Sequence, residues 1–187
     1  PIYKEYFMEN SDGRIKKVSY FIASMFGVGF IKYAPGTFGS VIALPFVWLI
    51  LYLGDIRGLI LLVIAVGALG YLATAGALRY TGDDMDPSFI VIDEFVAQMA
   101  VFIIPVVFFP GYAFHPVTYV AAFVFFRFFD IVKPLHVGEV DRNLKGALGV
   151  MLDDIIAACY AAVCVSIVLA VYAAYYAFIY TPAVPTP

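Results

Sequence analysis

Apolar runs separated by short polar breaks lay out this chain, and five of them are long enough to matter. The first leaves the turn-rich stretch Tyr33-Ala34-Pro35-Gly36-Thr37-Phe38-Gly39-Ser40 and ends at Leu53. It is short for a membrane span, so its helix is expected to begin near Thr37 or the bilayer to thin locally. After the tight connection Gly54-Asp55-Ile56-Arg57-Gly58 comes Leu59 to Leu78, with Gly67, Gly70, Ala73, Thr74 and Ala77 as a small-residue pattern that lets another helix approach. The third run, Phe89 to Phe109, carries Asp93 and Glu94, and its late Pro105 is expected to kink the end. Pro116 to Phe129 is a fourth, short run, closed by Pro134. A polar link with Glu139, Asp141, Arg142 and Lys145 leads to the fifth, roughly Ala147 to Ile179. As a helix that last run is about 50 Å long, so its start must project from a bilayer. Ahead of them all, Ile15 to Phe26 reads as a short amphipathic helix lying on the membrane surface.

The pattern predicts an all-α, polytopic membrane helix bundle with about five apolar spans and an N-terminal amphipathic, interfacial segment. It divides into residues 1–35 (basic, interfacial), 36–180 (membrane-embedded) and 181–187 (a Pro-rich tail expected to be disordered). Composition agrees: 64% of residues are hydrophobic and only 13% charged, where about a quarter is usual for soluble chains. Mean hydropathy is +0.95. A net charge of −3 argues against nucleic acid as a partner. Cys159 and Cys164 lie in an apolar run, five apart and off a shared helical face, and read as lipid-facing or packing residues. The N-terminal stretch lacks a long apolar core with a cleavage site, which argues against a signal peptide. The chain begins at Pro1, and its natural start is expected to have been trimmed or processed.

Charge also orients the bundle. With five spans and the N-terminus in the cytoplasm, the inner segments hold Lys4, Arg14, Lys16, Lys17, Lys32, Arg79, Arg127, Lys133, Arg142 and Lys145, and the outer segments only Arg57. Every acid except Asp55 then falls on the cytoplasmic side too. Candidate chemistry is thereby gathered at one membrane surface.

Three groups of carboxylates stand out there. Asp86-Pro87 reads as an N-cap with Pro at the first helical position, which would put Asp86 and Asp93 on one face about two turns apart, with Glu94 beside them. In F-F-R-F-F-D-I-V-K-P, Arg127, Asp130 and Lys133 are spaced to share a face, either as an interfacial ion-pair ladder or as a metal carboxylate between two phosphate-binding cations. At the start of the last helix, Gly146, Gly149, Asp153, Ala157 and Ala161 form a stripe of small residues that turns Asp153 into the bundle, with Asp154 within reach of it. Structural bridging is the bland account of each acid, but acids this close repel one another unless a cation intervenes. Oxygen ligands without His or Cys suit Mg²⁺ or Mn²⁺. His115 and His136 fall on opposite sides and form no joint site. The glycine-rich P-G-T-F-G-S turn, with Thr37 and Ser40, favours an anion at a helix start. Walker and kinase loops are absent, as are the cysteine- and histidine-phosphatase patterns. What remains is a metal-dependent reaction on a lipid-borne phosphate.

Four motifs in order, A-P-G-T-F-G-S, D-P-S-F-I-V-I-D-E, F-R-F-F-D-I-V-K-P and K-G-A-L-G-V-M-L-D-D, resemble the phosphatidylglycerophosphatase A family over roughly Gly27 to Ala161. The resemblance implies Mg²⁺-dependent hydrolysis of phosphatidylglycerophosphate to phosphatidylglycerol in a bacterial inner membrane. The chain departs from the family pattern at Ala97, Ala147 and Ala158, where Gly is usual, and at Leu135-His136, where Trp-Pro is common. Asp93, Glu94, Asp130, Asp153 and Asp154 are expected to hold one or two metal ions with Asp86 as outer support, and Asp93, Glu94, Asp130 and Asp154 to take part in catalysis. Thr37, Ser40, Arg127, Lys133 and Lys145 are expected to bind the phosphate, with the phospholipid and surrounding membrane lipids as partners. The rival readings are an ion-coupled transporter or channel, which would spread its acids across the membrane, and a non-catalytic scaffold.

Overall fold

The computed structural model describes residues 13–81, 87–134 and 136–180, without the side chains of His136, Asp141, Arg142 and Tyr180. Every regular element among them is helical: α1 (Gly13–Ala23), a 3-10 turn (Val28–Phe30), α2 (Pro35–Leu53), α3 (Ile56–Thr81), α4 (Ile92–Ala100), α5 (Ile103–Phe108), a second 3-10 turn (Pro110–Tyr112), α6 (Pro116–Val132), α7 (His136–Asn143) and α8 (Gly146–Tyr180). Three of these are long and apolar enough to cross a membrane: Pro35–Leu53, Ile56–Thr81 and Gly146–Ile179. Their outward faces carry Trp48, Leu61, Leu72 and Ile167 in the open, as lipid-facing positions should. Asp86 and the tail 181–187 lie outside the described residues.

Long α8 is the post on which the bundle is built. It packs against α4, α6 and α7, while α1 lies on α3 and α2 on α4. Gly149, Asp153, Ala157 and Ala161 are all buried, so the small-residue stripe does face inward. Between helices in lipid, close van der Waals contact replaces the hydrophobic drive, and small side chains permit it. The alanines that depart from the family pattern follow the same logic, since Ala97 is 0% and Ala158 2% exposed.

The third apolar run departs from its expected form. The third apolar run is not one helix from Pro87. Residues 87–91 form a non-helical turn held by Ile90 N donating to Pro87 O (2.9 Å) and Val91 N donating to Ala23 O (3.0 Å), with Phe89 stacked on Phe30 and tilted against Tyr20. Helix α4 starts only at Ile92, so the helical spacing assumed between Asp86 and Asp93 does not apply. The same run also breaks at Val101–Phe102, ahead of Pro105, which sits in the first turn of α5 where its missing N–H is tolerated. The polar link contains a helix, α7. Helix α1 packs one face, Ser19, Tyr20 and Ala23, against the bundle and leaves Ile15, Val18 and Phe21 exposed on the other.

Aromatic residues collect at the end of the bundle away from the acids. Trp48 stacks on Tyr52 and meets Phe114 edge-on; His115 and Tyr112 pack on Tyr172, which continues to Tyr176. His115 also caps α6, its Nδ1 accepting from Val117 N, and its Nε2 lies 3.3 Å from the Tyr172 hydroxyl.

Candidate active site

Helix α4 begins with the acids. Asp93 and Glu94 occupy its first turn, where the helix dipole favours negative charge, and Asp93 Oδ1 accepts from the Glu94 amide at 3.0 Å. Across from them α8 presents Asp154, whose own amide donates to Asp153 Oδ1 at 3.0 Å. One carboxylate oxygen from each of Asp93, Glu94 and Asp154 falls within 4.8 Å of the others. Asp93 is 3% and Asp154 4% exposed. Charges buried so closely are costly unless a cation joins them.

Helix α6 brings the positive charge. Arg127 Nη1 lies 2.5 Å from Asp130 and 3.9 Å from Glu94. Lys133 departs from the expected ladder. It leaves the helix in a left-handed conformation (φ 45°), which costs a non-glycine residue about 1–3 kcal/mol, and its Nζ reaches Asp153 Oδ2 at 2.6 Å on α8. Each base therefore has an acid, while Asp93 and Asp154 have no basic partner among the described residues.

Those acids fit a hard divalent cation on observations of the site itself. Among the described residues Glu94 Oε2 and Asp154 Oδ2 are buried without a hydrogen-bond partner, and the donor set is oxygen alone.

Helix α2 closes the near side. Its first turn is held by Thr37 N donating to Ala34 O (3.0 Å), and the Ser40 hydroxyl donates to Gly36 O (3.0 Å). A Cβ on Gly36 would overlap Glu94 Oε1, and one on Gly39 would stand 2.9 Å from the Val91 carbonyl oxygen. These glycines let α2 touch the start of α4, a role for the P-G-T-F-G-S turn that the sequence reading did not give it. Thr37 is half-buried beside Gly36.

The geometry brings Asp93, Glu94 and Asp154 together, sets Asp130 with Arg127 at their edge, and places the Lys133–Asp153 pair one residue along α8. Lys145 is exposed on the link between α7 and α8. Sequence reasoning passed over Gln98, a fully buried amide one turn beyond Glu94. Its signal was available, since it is a polar residue in an apolar run at i+4 from an acid.

The family profile described as phosphatidylglycerophosphatase A matches residues 21–169. The chain is 36% identical over 150 residues to a Bacteroides thetaiotaomicron protein provisionally named a phosphatidylinositol-3-phosphatase, spanning 78% of this chain and 90% of that one. It is 36% identical over 166 residues to the phosphatidylglycerophosphatase A of Haemophilus influenzae (81% of this chain, 91% of that one). Against the protein of that name from Escherichia coli K12 the identity is 35% over 141 residues (73% and 74%). No solved structure matches at a significant level.

Proposed function

The chain belongs to the phosphatidylglycerophosphatase A family, and from that premise we propose that it hydrolyses phosphatidylglycerophosphate to phosphatidylglycerol and phosphate at the cytoplasmic face of a bacterial inner membrane. The observation that carries this reading is the convergence of buried Asp93, Glu94 and Asp154 oxygens within 4.8 Å of one another, beside Arg127.

Asp93, Glu94 and Asp154 hold Mg²⁺, or Mn²⁺ in its place, with Asp130 and Asp153 as neighbouring ligands and Asp86 as outer support. Bound there, the cation neutralises charge on the phosphoryl group as a Lewis acid. Arg127 and Lys133 exchange part of their contact with Asp130 and Asp153 for phosphate oxygens and stabilise the charge that builds on them. The Thr37 hydroxyl donates from the first turn of α2, Ser40 fastens that turn from behind, and Lys145 attracts the head group from the surface. A carboxylate oxygen that the cation leaves free, from one of Asp93, Glu94, Asp130 and Asp154, takes the proton of the attacking water. The acyl chains stay in lipid. Five crossings with the N-terminus inside suit the positive-inside rule, since Arg57 alone among the basic residues then faces outward.

Phosphate release from lipid vesicles tests this. Purified protein is expected to dephosphorylate phosphatidylglycerophosphate with Mg²⁺ or Mn²⁺ and not with Zn²⁺ alone. Phosphatidylinositol 3-phosphate and phosphatidic acid, run beside it, decide the head group. Full activity in excess chelator would remove the cation from the reading, and no release from any lipid phosphomonoester would remove the phosphatase.

A further inference from the structure

Gln98 follows Glu94 by one turn of α4, on the same face of the helix. Its side chain is 0% exposed, and neither its carbonyl oxygen nor its amide nitrogen has a partner among the described residues. Leu or Met would fill similar space without that cost, and Leu is common in this chain. Besides the Thr74 and Tyr119 hydroxyls, the other buried groups in the same condition among the described residues belong to the acid site: Glu94 Oε2, Asp154 Oδ2 and Arg127 Nε and Nη1. Gln98 is the uncharged member of that group. An amide can donate to a carboxylate and accept from a water at once, and it adds no further charge to a site already rich in acids.

We propose that Gln98 is a positioning residue that forms the inner floor of the cation site. Through a shared water, its Nε2 steadies Glu94 Oε2 and its Oε1 accepts from the hydration shell of the divalent ion. Such outer partners hold a ligating carboxylate in orientation and tune affinity without touching the metal. The inference rests on the cation site proposed above.

Gln98→Leu separates this role from a tolerated buried amide. Without metal, the variant is expected to unfold at a higher temperature than wild type, because an unsatisfied polar group has been removed. Binding of Mn²⁺ to the purified protein, read from the paramagnetic signal of the free ion, is expected to weaken about 10- to 100-fold. Hydrolysis should recover as Mg²⁺ is raised. Wild-type Mn²⁺ affinity in Gln98→Leu overturns the inference and leaves the cation site standing. A wild-type protein that binds no Mn²⁺ overturns both. If Gln98→Leu does not fold, Gln98→Met is read by the same criteria.

Discussion

Asp153 and Asp154 are adjacent in the chain, yet they meet opposite surroundings. Asp153 has Lys133 at 2.6 Å, while Asp154 faces Asp93 and Glu94 and keeps one oxygen without a partner among the described residues. Asp154 is therefore held in a place where its charge disfavours the folded chain until a cation arrives. Asp93→Asn and Asp154→Asn should each cut lipid phosphate hydrolysis more than tenfold, a barrier increase above about 1.4 kcal/mol. Both should raise the unfolding temperature of the metal-free protein, because like charges have been thinned. Either variant keeping more than about a tenth of the wild-type rate, on the same scale, leaves the catalytic set. The acids were legible in the sequence because carboxylates are rare and costly in apolar runs. Their pairing was not. Lys133 reaches Asp153 only because α6 ends in a left-handed residue, and Asp86 lost its proposed spacing because the Val91 amide bonds to Ala23, far away in sequence.

At the scale of elements, the contact of α2 with α4 carries the most consequence. The two glycines of its first turns meet different atoms: Gly36 faces the flexible end of Glu94, and Gly39 faces the rigid backbone of Val91. Gly36→Ala should cost little stability, since Ala gains up to about 1 kcal/mol over Gly in a helix and the carboxylate can swing aside. It should lower the rate at least tenfold, about 1.4 kcal/mol, by moving that carboxylate. Gly39→Ala should instead lower the unfolding temperature. Thermal unfolding and turnover measured side by side check the contrast, and wild-type turnover in Gly36→Ala would detach Glu94 from the reaction. Four of the five apolar runs became single helices near their expected bounds, because hydrophobic length alone sets them. The third did not: a non-helical turn holds its start at 87–91, and a second turn at Val101–Phe102 divides the rest into α4 and α5. The turn at 87–91, ahead of Ile92, lets the acids stand at a helix start and not in mid-span.

For the whole molecule, the proposed orientation puts Lys145 and Arg57 on opposite sides of the membrane, and both are exposed. In a background without Cys159 and Cys164, Lys145→Cys should react with an impermeant thiol reagent only from the cytoplasm and Arg57→Cys only from outside. Reversed labelling of the pair would invert the topology and with it the side on which substrate is used.

Helix α8 also works as a ruler. From Asp154 to Tyr172, in the aromatic group at the far end, it rises about 27 Å. The shorter α6 covers only about 21 Å from Pro116 to Asp130 on the same measure. Both fall below the roughly 30 Å of a bilayer's hydrocarbon core. A membrane whose two surfaces met the carboxylates and this aromatic group would be pinched there, at a cost of a fraction of a kcal/mol per ångström. That dimple would draw lipid head groups down to the carboxylates, sparing the substrate from being lifted out of its leaflet.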